Sequence, residues 1–117
     1  MSDYEPQLIE ANDALSEKEY EKALSILEPL VKIEVPAALG LLGVMYQLGE
    51  GVSLNGKKAV ELLLRAVELG DGTAAHNLGT IYGGGLPDIK QDYKKSKMYY
   101  RKAKEMGAQY VSDEFYE

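Results

Sequence analysis

Few side chains in this 117-residue chain have the types and spacing that chemistry requires. His76 is the only histidine and there is no cysteine. A nucleophile needs a base within reach, and no residue pattern here supplies the two together. A bound metal would need His76 joined by carboxylates, and none cluster near it in the sequence. The triple glycine Gly83–Gly85 is not followed by the Gly-Lys-Ser/Thr of a phosphate loop, so it reads as a flexible connection between helices. The nine tyrosines fall mostly at recurring positions. Tyr46 and Tyr82 are expected in the core, and Tyr93, Tyr99 and Tyr100 line a helix, which favours packing over a stacking platform for bases. The sequence therefore assigns no catalytic residue, no metal ligand and no cofactor, and the expectation is a protein that is not an enzyme.

Binding remains, and charge narrows the partner. The net charge is −6, which argues against nucleic acid because phosphate binding needs a basic face. The charge is uneven. Residues 1–34 hold nine acids against Lys18, Lys22 and Lys32, a net of −6, whereas residues 86–106 hold seven bases against Asp88, Asp92 and Glu105, a net of +4. Glu10, Asp13 and Glu17 form an acidic patch that could meet a basic partner. The opening M-S-D-Y-E-P is acidic, and no apolar run resembles a signal peptide or a membrane span. A soluble, cytoplasmic protein with no membrane contact is expected.

The elements that position these residues come in copies. Ala38, Leu42, Gly43, Tyr46 and Gly49 recur 36 residues later as Ala74, Leu78, Gly79, Tyr82 and Gly85. After one inserted residue, Ala66 and Gly70 recur as Ala103 and Gly107. A fixed period of this size means one supersecondary unit repeated and stacked. Each copy reads as two helices. Leu39, Leu42 and Tyr46 share one side of the first, and Leu62, Leu63, Ala66, Val67 and Leu69 mark the second. Gly43 and Gly79 cost helix propensity of roughly 1 kcal/mol each. Close approach of a neighbouring helix backbone is the expected compensation.

These residues resemble the Sel-one-like repeat (SLR) family, a relative of the tetratricopeptide repeats, whose pattern runs A-x-x-x-L-G-x-x-Y-x-x-G-x-G-V, a polar loop, then K-A…A-x-x-x-G. Residues 38–70 match it nearly throughout, while residues 74–107 depart at Gly83-Gly84-Gly85-Leu86-Pro87 and at Ser96, which stands where Ala59 stands in the first copy. The resemblance implies an all-α, right-handed α/α solenoid. We expect one domain over residues 1–117: a tetratricopeptide-like unit at 5–34, SLR units at 36–71 and 73–108, and a short cap at 109–117. Helices are predicted near 6–15, 18–33, 37–48, 57–69, 73–82 and 93–106. In the first unit Leu8, Ala11 and Leu15 form the apolar stripe, Ser16-Glu17-Lys18-Glu19 makes a turn with a capping box, and Pro29 should kink the second helix. Asn55, Asp71 or Thr73, and Asp92 are expected caps, with Gly83–Gln91 a loop. Tyr110, Val111 and Phe115 are read as a short helix over the open end of the stack.

The resemblance also implies that first helices line a concave surface where a partner protein lies. Counting from Ala11, Gly43 and Gly79, the exposed positions there would be Leu8, Gly40 and a binding set of Asn12, Val44, Gln47, Thr73, His76, Asn77 and Thr80. Two functions fit: a bacterial, non-catalytic adaptor of the SLR type, and a small acidic cytoplasmic immunity protein that neutralises a cognate toxin by binding it. Either is expected as a monomer, with a dimer through the C-terminal end as the alternative.

Overall fold

Proline and short polar residues set where the helices begin. The structure, a computed structural model, describes residues 3–108, so the closing helix expected around Tyr110, Val111 and Phe115 lies outside it. Pro6 and Pro36 stand in the first turns of α1 (Glu5–Ser16) and α3 (Pro36–Leu48), where the missing N–H is not needed. Asn55, Asp71 and Asp92 cap α4 (Gly56–Glu68), α5 (Gly72–Gly84) and α6 (Tyr93–Glu105). Each aspartate or asparagine accepts from backbone N–H groups of the first turn, at 3.0 Å from Lys58, 3.0 and 3.3 Å from Thr73 and Ala74, and 3.1 Å from Lys95. With α2 (Tyr20–Lys32) these make six helices in three pairs among the described residues. The chain is an all-α helical repeat solenoid. Among the described residues no strand forms, and one isolated antiparallel bridge joins Leu86 to Ile89.

Each helix packs on its pair mate, and α2 on α3 and α4 on α5 join the pairs into one stack. A single core runs through it, with Ala11, Leu27, Ala38, Leu63, Leu78 and Ala103 among its buried members. The repeating small residues sit where the helices crowd. A Cβ at Gly43 would stand 2.9 Å from Leu63 Cγ, and one at Gly79 would stand 2.7 Å from the Tyr100 ring. The close approach expected from the sequence is present, but it is made largely by side chains; the nearest backbone atom, Ala59 O, would be 3.4 Å from the Gly43 Cβ. Ser96 is buried, and its hydroxyl donates to the Gly79 carbonyl at 2.7 Å, so the departure from alanine is absorbed by a hydrogen bond between α5 and α6.

Several local expectations are corrected. No capping box opens α2: Ser16 is consumed as the last residue of α1, and Glu19 makes no side-chain cap. Backbone bonds close that turn instead, from the N–H groups of Glu17, Lys18 and Glu19 to the carbonyls of Asp13, Leu15 and Ala14, with Lys18 at φ +60°. By contrast, α2 runs through the solvent-exposed Pro29 to Lys32, in keeping with the predicted span of 18–33. Gly83 and Gly84 belong to α5 and the loop starts at Gly85; α6 passes close enough that a Cβ at Gly83 would lie 3.0 Å from Ser96 Oγ. Leu69 lies past the end of α4 and is half-exposed rather than core. Tyr93 is 67% exposed at the start of α6, with its hydroxyl accepting from Gln91 Nε2 at 2.9 Å.

The inserted loop ties the two repeats together. Asp88 receives the Gly56 and Lys57 N–H groups, each at 3.0 Å, so a residue of the α5–α6 loop caps the α4 N-terminus alongside Asn55. Those backbone donors hold the Asp88 carboxyl below its usual value. A carboxylate with a lowered folded pKa adds stability above its unfolded pKa and loses it as pH falls through the folded one. Asp88→Asn should therefore unfold at a lower temperature than wild type at pH 7. The gap should narrow steadily on acidification below pH 4, and melting curves at a series of pH values would show a constant gap if the charge were irrelevant. Arg65 instead ties α4 to the turn after α2, donating through Nε to Glu34 at 3.0 Å, and donates through Nη1 to Glu68 of its own helix at 3.2 Å.

Candidate binding groove

The first helices of the three pairs, α1, α3 and α5, enclose an open groove of about 630 Å³. Its apolar surface comes from Leu8 and Ile9 of α1 and Ala37, Leu41 and Val44 of α3, with the fully buried Ala74 of α5 beneath. The helical period explains the set: Ala37, Leu41 and Val44 fall at i, i+4 and i+7 on one side of α3, while Ala38, Leu42 and Met45 go into the core. Ile9 is 56% exposed, an unusual position for an isoleucine on a helix with its own core stripe. Glu5, Asn12, Asp71, Thr73 and Asn77 supply the polar groups, and among the described residues no lysine or arginine lines the groove.

Asp71 has two roles. Its Oδ1 caps α5, while Oδ2 makes no hydrogen bond among the described residues. Gly40 lies against that second oxygen, and a Cβ there would stand 3.0 Å from it. Burial raises the Asp71 carboxyl above its usual value, opposed by the two backbone donors. The sign is opposite to that of Asp88: an acid with a raised folded pKa lowers stability as pH rises through it. Asp71→Asn, which keeps an acceptor for the cap, should hold or raise the melting temperature at pH 7. A clear loss would show that the charged form is needed by the fold.

The residues expected to bind are divided by the structure. Asn12, Val44, Thr73 and Asn77 line this groove, whereas Gln47, His76 and Thr80 do not. Gly40 is buried rather than exposed, since α5 and its cap cover it. Gln47 turns inward, with Oε1 buried and no hydrogen bond among the described residues. His76 lies against Tyr100, ring centroids 5.1 Å apart and tilted by 54°, and burial pushes its pKa below the ordinary imidazole value. Thr80 shares a hydrogen bond with the Tyr100 hydroxyl at 2.9 Å and donates to the His76 carbonyl at 3.3 Å. Glu10, Asp13 and Glu17 are exposed on the first pair, and Glu10 approaches Lys22 at 3.9 Å.

Sequence reasoning missed Glu5, Ile9, Ala37, Leu41 and Ala74, and it read Asp71 only as a cap. Continuing the helical period from Val44 back to Leu41 and Ala37 would have found one wall. The position of the free Asp71 oxygen depends on α3 passing in front of α5 and has no sequence signal. A second, more polar groove lies between α4 and α6, where Leu64, Val67, Met98 and Tyr99 are framed mainly by Lys94, Lys97, Arg101 and Lys102. Among the described residues no group of three or more histidines or acids could hold a metal, and no helix is long and apolar enough to cross a membrane.

The sequence profile of the Sel1 repeat matches residues 36–71 and 72–107. The chain belongs to the Sel1-repeat family. Two solved structures support the same fold. A Sel1 repeat protein from Oxalobacter formigenes superposes with a TM-score of 0.72 and 32% identity over 85% of this chain. A protective antigen of uropathogenic Escherichia coli strains that displays an SLR fold superposes with a TM-score of 0.72 and 25% identity over 86% of it. The chain spans 39% and 22% of the lengths of those two proteins. No curated protein matches it significantly. Sel1 repeats are a non-enzymatic scaffold fold and generally mediate protein–protein interaction. In this Sel1-repeat chain α1 and α2 precede the two matched repeats, yet α2 packs on α3 as closely as α4 packs on α5.

Proposed function

We propose that this Sel1-repeat chain is a non-catalytic adaptor that holds a segment of a partner protein in the groove formed by α1, α3 and α5. The observation that carries the reading is the groove itself: a largely apolar trough to which all three helix pairs contribute, with polar groups spaced along it. A binding site of this kind excludes water from its apolar floor and fixes orientation with a few polar contacts. The proposed contact set is Asn12, Val44, Thr73 and Asn77 from the sequence reading, joined by Leu41 and Asp71. The domain division at 5–34, 36–71 and 73–108 gives each unit one wall of the trough.

A toxin-neutralising immunity protein is the second reading, and the exposure of Glu10, Asp13 and Glu17 on the first pair favours it. The two readings separate experimentally. Copurifying proteins are identified with the tagged chain, and binding is then measured for two sets of variants. If the groove binds, Val44→Glu should weaken the complex by about 1–3 kcal/mol, the scale of a central interface contact, and added salt should matter little. If the acidic surface binds, reversing Glu10, Asp13 and Glu17 to lysine should chiefly slow association, and salt should reproduce that change. A complex that tolerates Val44→Glu but fails with the reversals and at high salt would replace the adaptor reading with the second one.

A further inference from the structure

We infer that the groove selects a short extended segment that carries a lysine or arginine between apolar residues, with the cation seated on Asp71 Oδ2. The inference rests on the adaptor reading and adds the chemistry of what is bound. Among the described residues two acids, Glu5 and Asp71, line the trough, and no base does. They differ in surroundings. Glu5 is exposed at the start of α1, so water screens it. Asp71 is half-buried, with one oxygen bound to the α5 N-terminus and the other without a hydrogen bond among the described residues. That oxygen is open to water in a setting drier than that of Glu5, and a charge-assisted hydrogen bond from a cation could take the place of the water.

The apolar floor gives the neighbours of that cation. Leu41 and Val44 lie on the α3 wall and Leu8 and Ile9 on the α1 wall, so apolar residues flanking the cation would cover surface that is now wet. Neighbouring helix axes stand about 8–10 Å apart, so a path across three first helices is on the order of 20 Å. An extended chain covers that in about six residues at roughly 3.3 Å each. Gly40 keeps the route open. A side chain at that position would sit on the oxygen that the cation needs.

The test uses a random dodecapeptide library displayed on phage and panned on the immobilised protein, followed by fluorescence anisotropy of the enriched peptides. Enriched peptides should contain Lys or Arg among apolar residues, and Asp71→Asn should weaken them at least tenfold while leaving the melting temperature at pH 7 intact. Replacing the peptide cation by Gln should cost wild type a similar factor and cost Asp71→Asn almost nothing further. That double-mutant cycle separates a direct ion pair from a structural role. Peptides that Val44→Glu abolishes but Asp71→Asn leaves unchanged would overturn this inference and keep the groove as the binding site. Dependence on Glu5→Gln without dependence on Asp71→Asn would also overturn it. Peptides indifferent to Val44→Glu, or none enriched, would sink both readings. Self-association in sedimentation, abolished by Val44→Glu, would assign the groove to a second copy of the chain and reject the cationic segment.

Discussion

Leu63→Ala should cost about 2–5 kcal/mol of stability, the usual range for emptying a packed leucine site. Leu63 is fully buried and fills the space in front of Gly43. Because it has no route to solvent, Gly43→Leu should be costly too, by about 1–3 kcal/mol for overpacking. The equivalent Gly79→Leu should cost less, since Tyr100 is only half-buried and can swing outward with loss of the Thr80 hydrogen bond. The decisive measurement combines the small changes. Gly43→Ala adds a Cβ that meets Leu63, and Leu63→Ala removes what it meets, so the double variant should be more stable in urea than the sum of the singles. Strict additivity would mean that the two residues do not touch in solution.

Gly51→Val should be as damaging, from the loop rather than the core. Gly51 is solvent-exposed, yet its φ of +76° is one that a β-branched residue rarely takes. A Cβ there would also stand 2.6 Å from Tyr20 Cβ and 2.9 Å from Met45 Cε. The Tyr20 contact cannot be relieved by turning a side chain, because Cβ moves only with the backbone. Strain at a left-handed position alone is on the order of 1–3 kcal/mol, and the clash adds to it. Moreover, Tyr20 begins α2, so the variant should loosen the first helix pair from the matched repeats. Limited proteolysis should then cut near residues 17–35 in Gly51→Val and not in wild type. An unchanged digestion pattern and melting curve would refute the interlock.

What the sequence made legible follows from what the period encodes. Small residues recurring every 36 positions mark where helices meet, and Ala38 and Ala74 are both fully buried as that logic requires. Asparagine and aspartate at the helix starts have local chemistry, so their caps could be read without tertiary information. Gln47, Gly83 and Asp71 were less legible because their settings depend on a helix arriving from elsewhere. Gln47 turns inward although its amide is polar, and Gly83 continues α5 where that helix lies against Ser96 of α6. On α3 the concave count includes Val44, which lines the groove, whereas the same count on α5 took no account of Tyr100, which engages both His76 and Thr80.

The Asp88 contact has a bearing on how the chain is made. The first turn of α4 takes two of its hydrogen bonds from a residue 31 to 32 positions further along. During synthesis that helix therefore leaves the ribosome with only Asn55 in place, and it stays provisional until the loop after α5 has emerged as well. Nascent chains ending before residue 88 should fray at Gly56 and Lys57, and hydrogen exchange there should slow abruptly once Asp88 is outside the exit tunnel. The second repeat thus completes the first, and the order of emergence from the ribosome becomes a timetable for locking the scaffold.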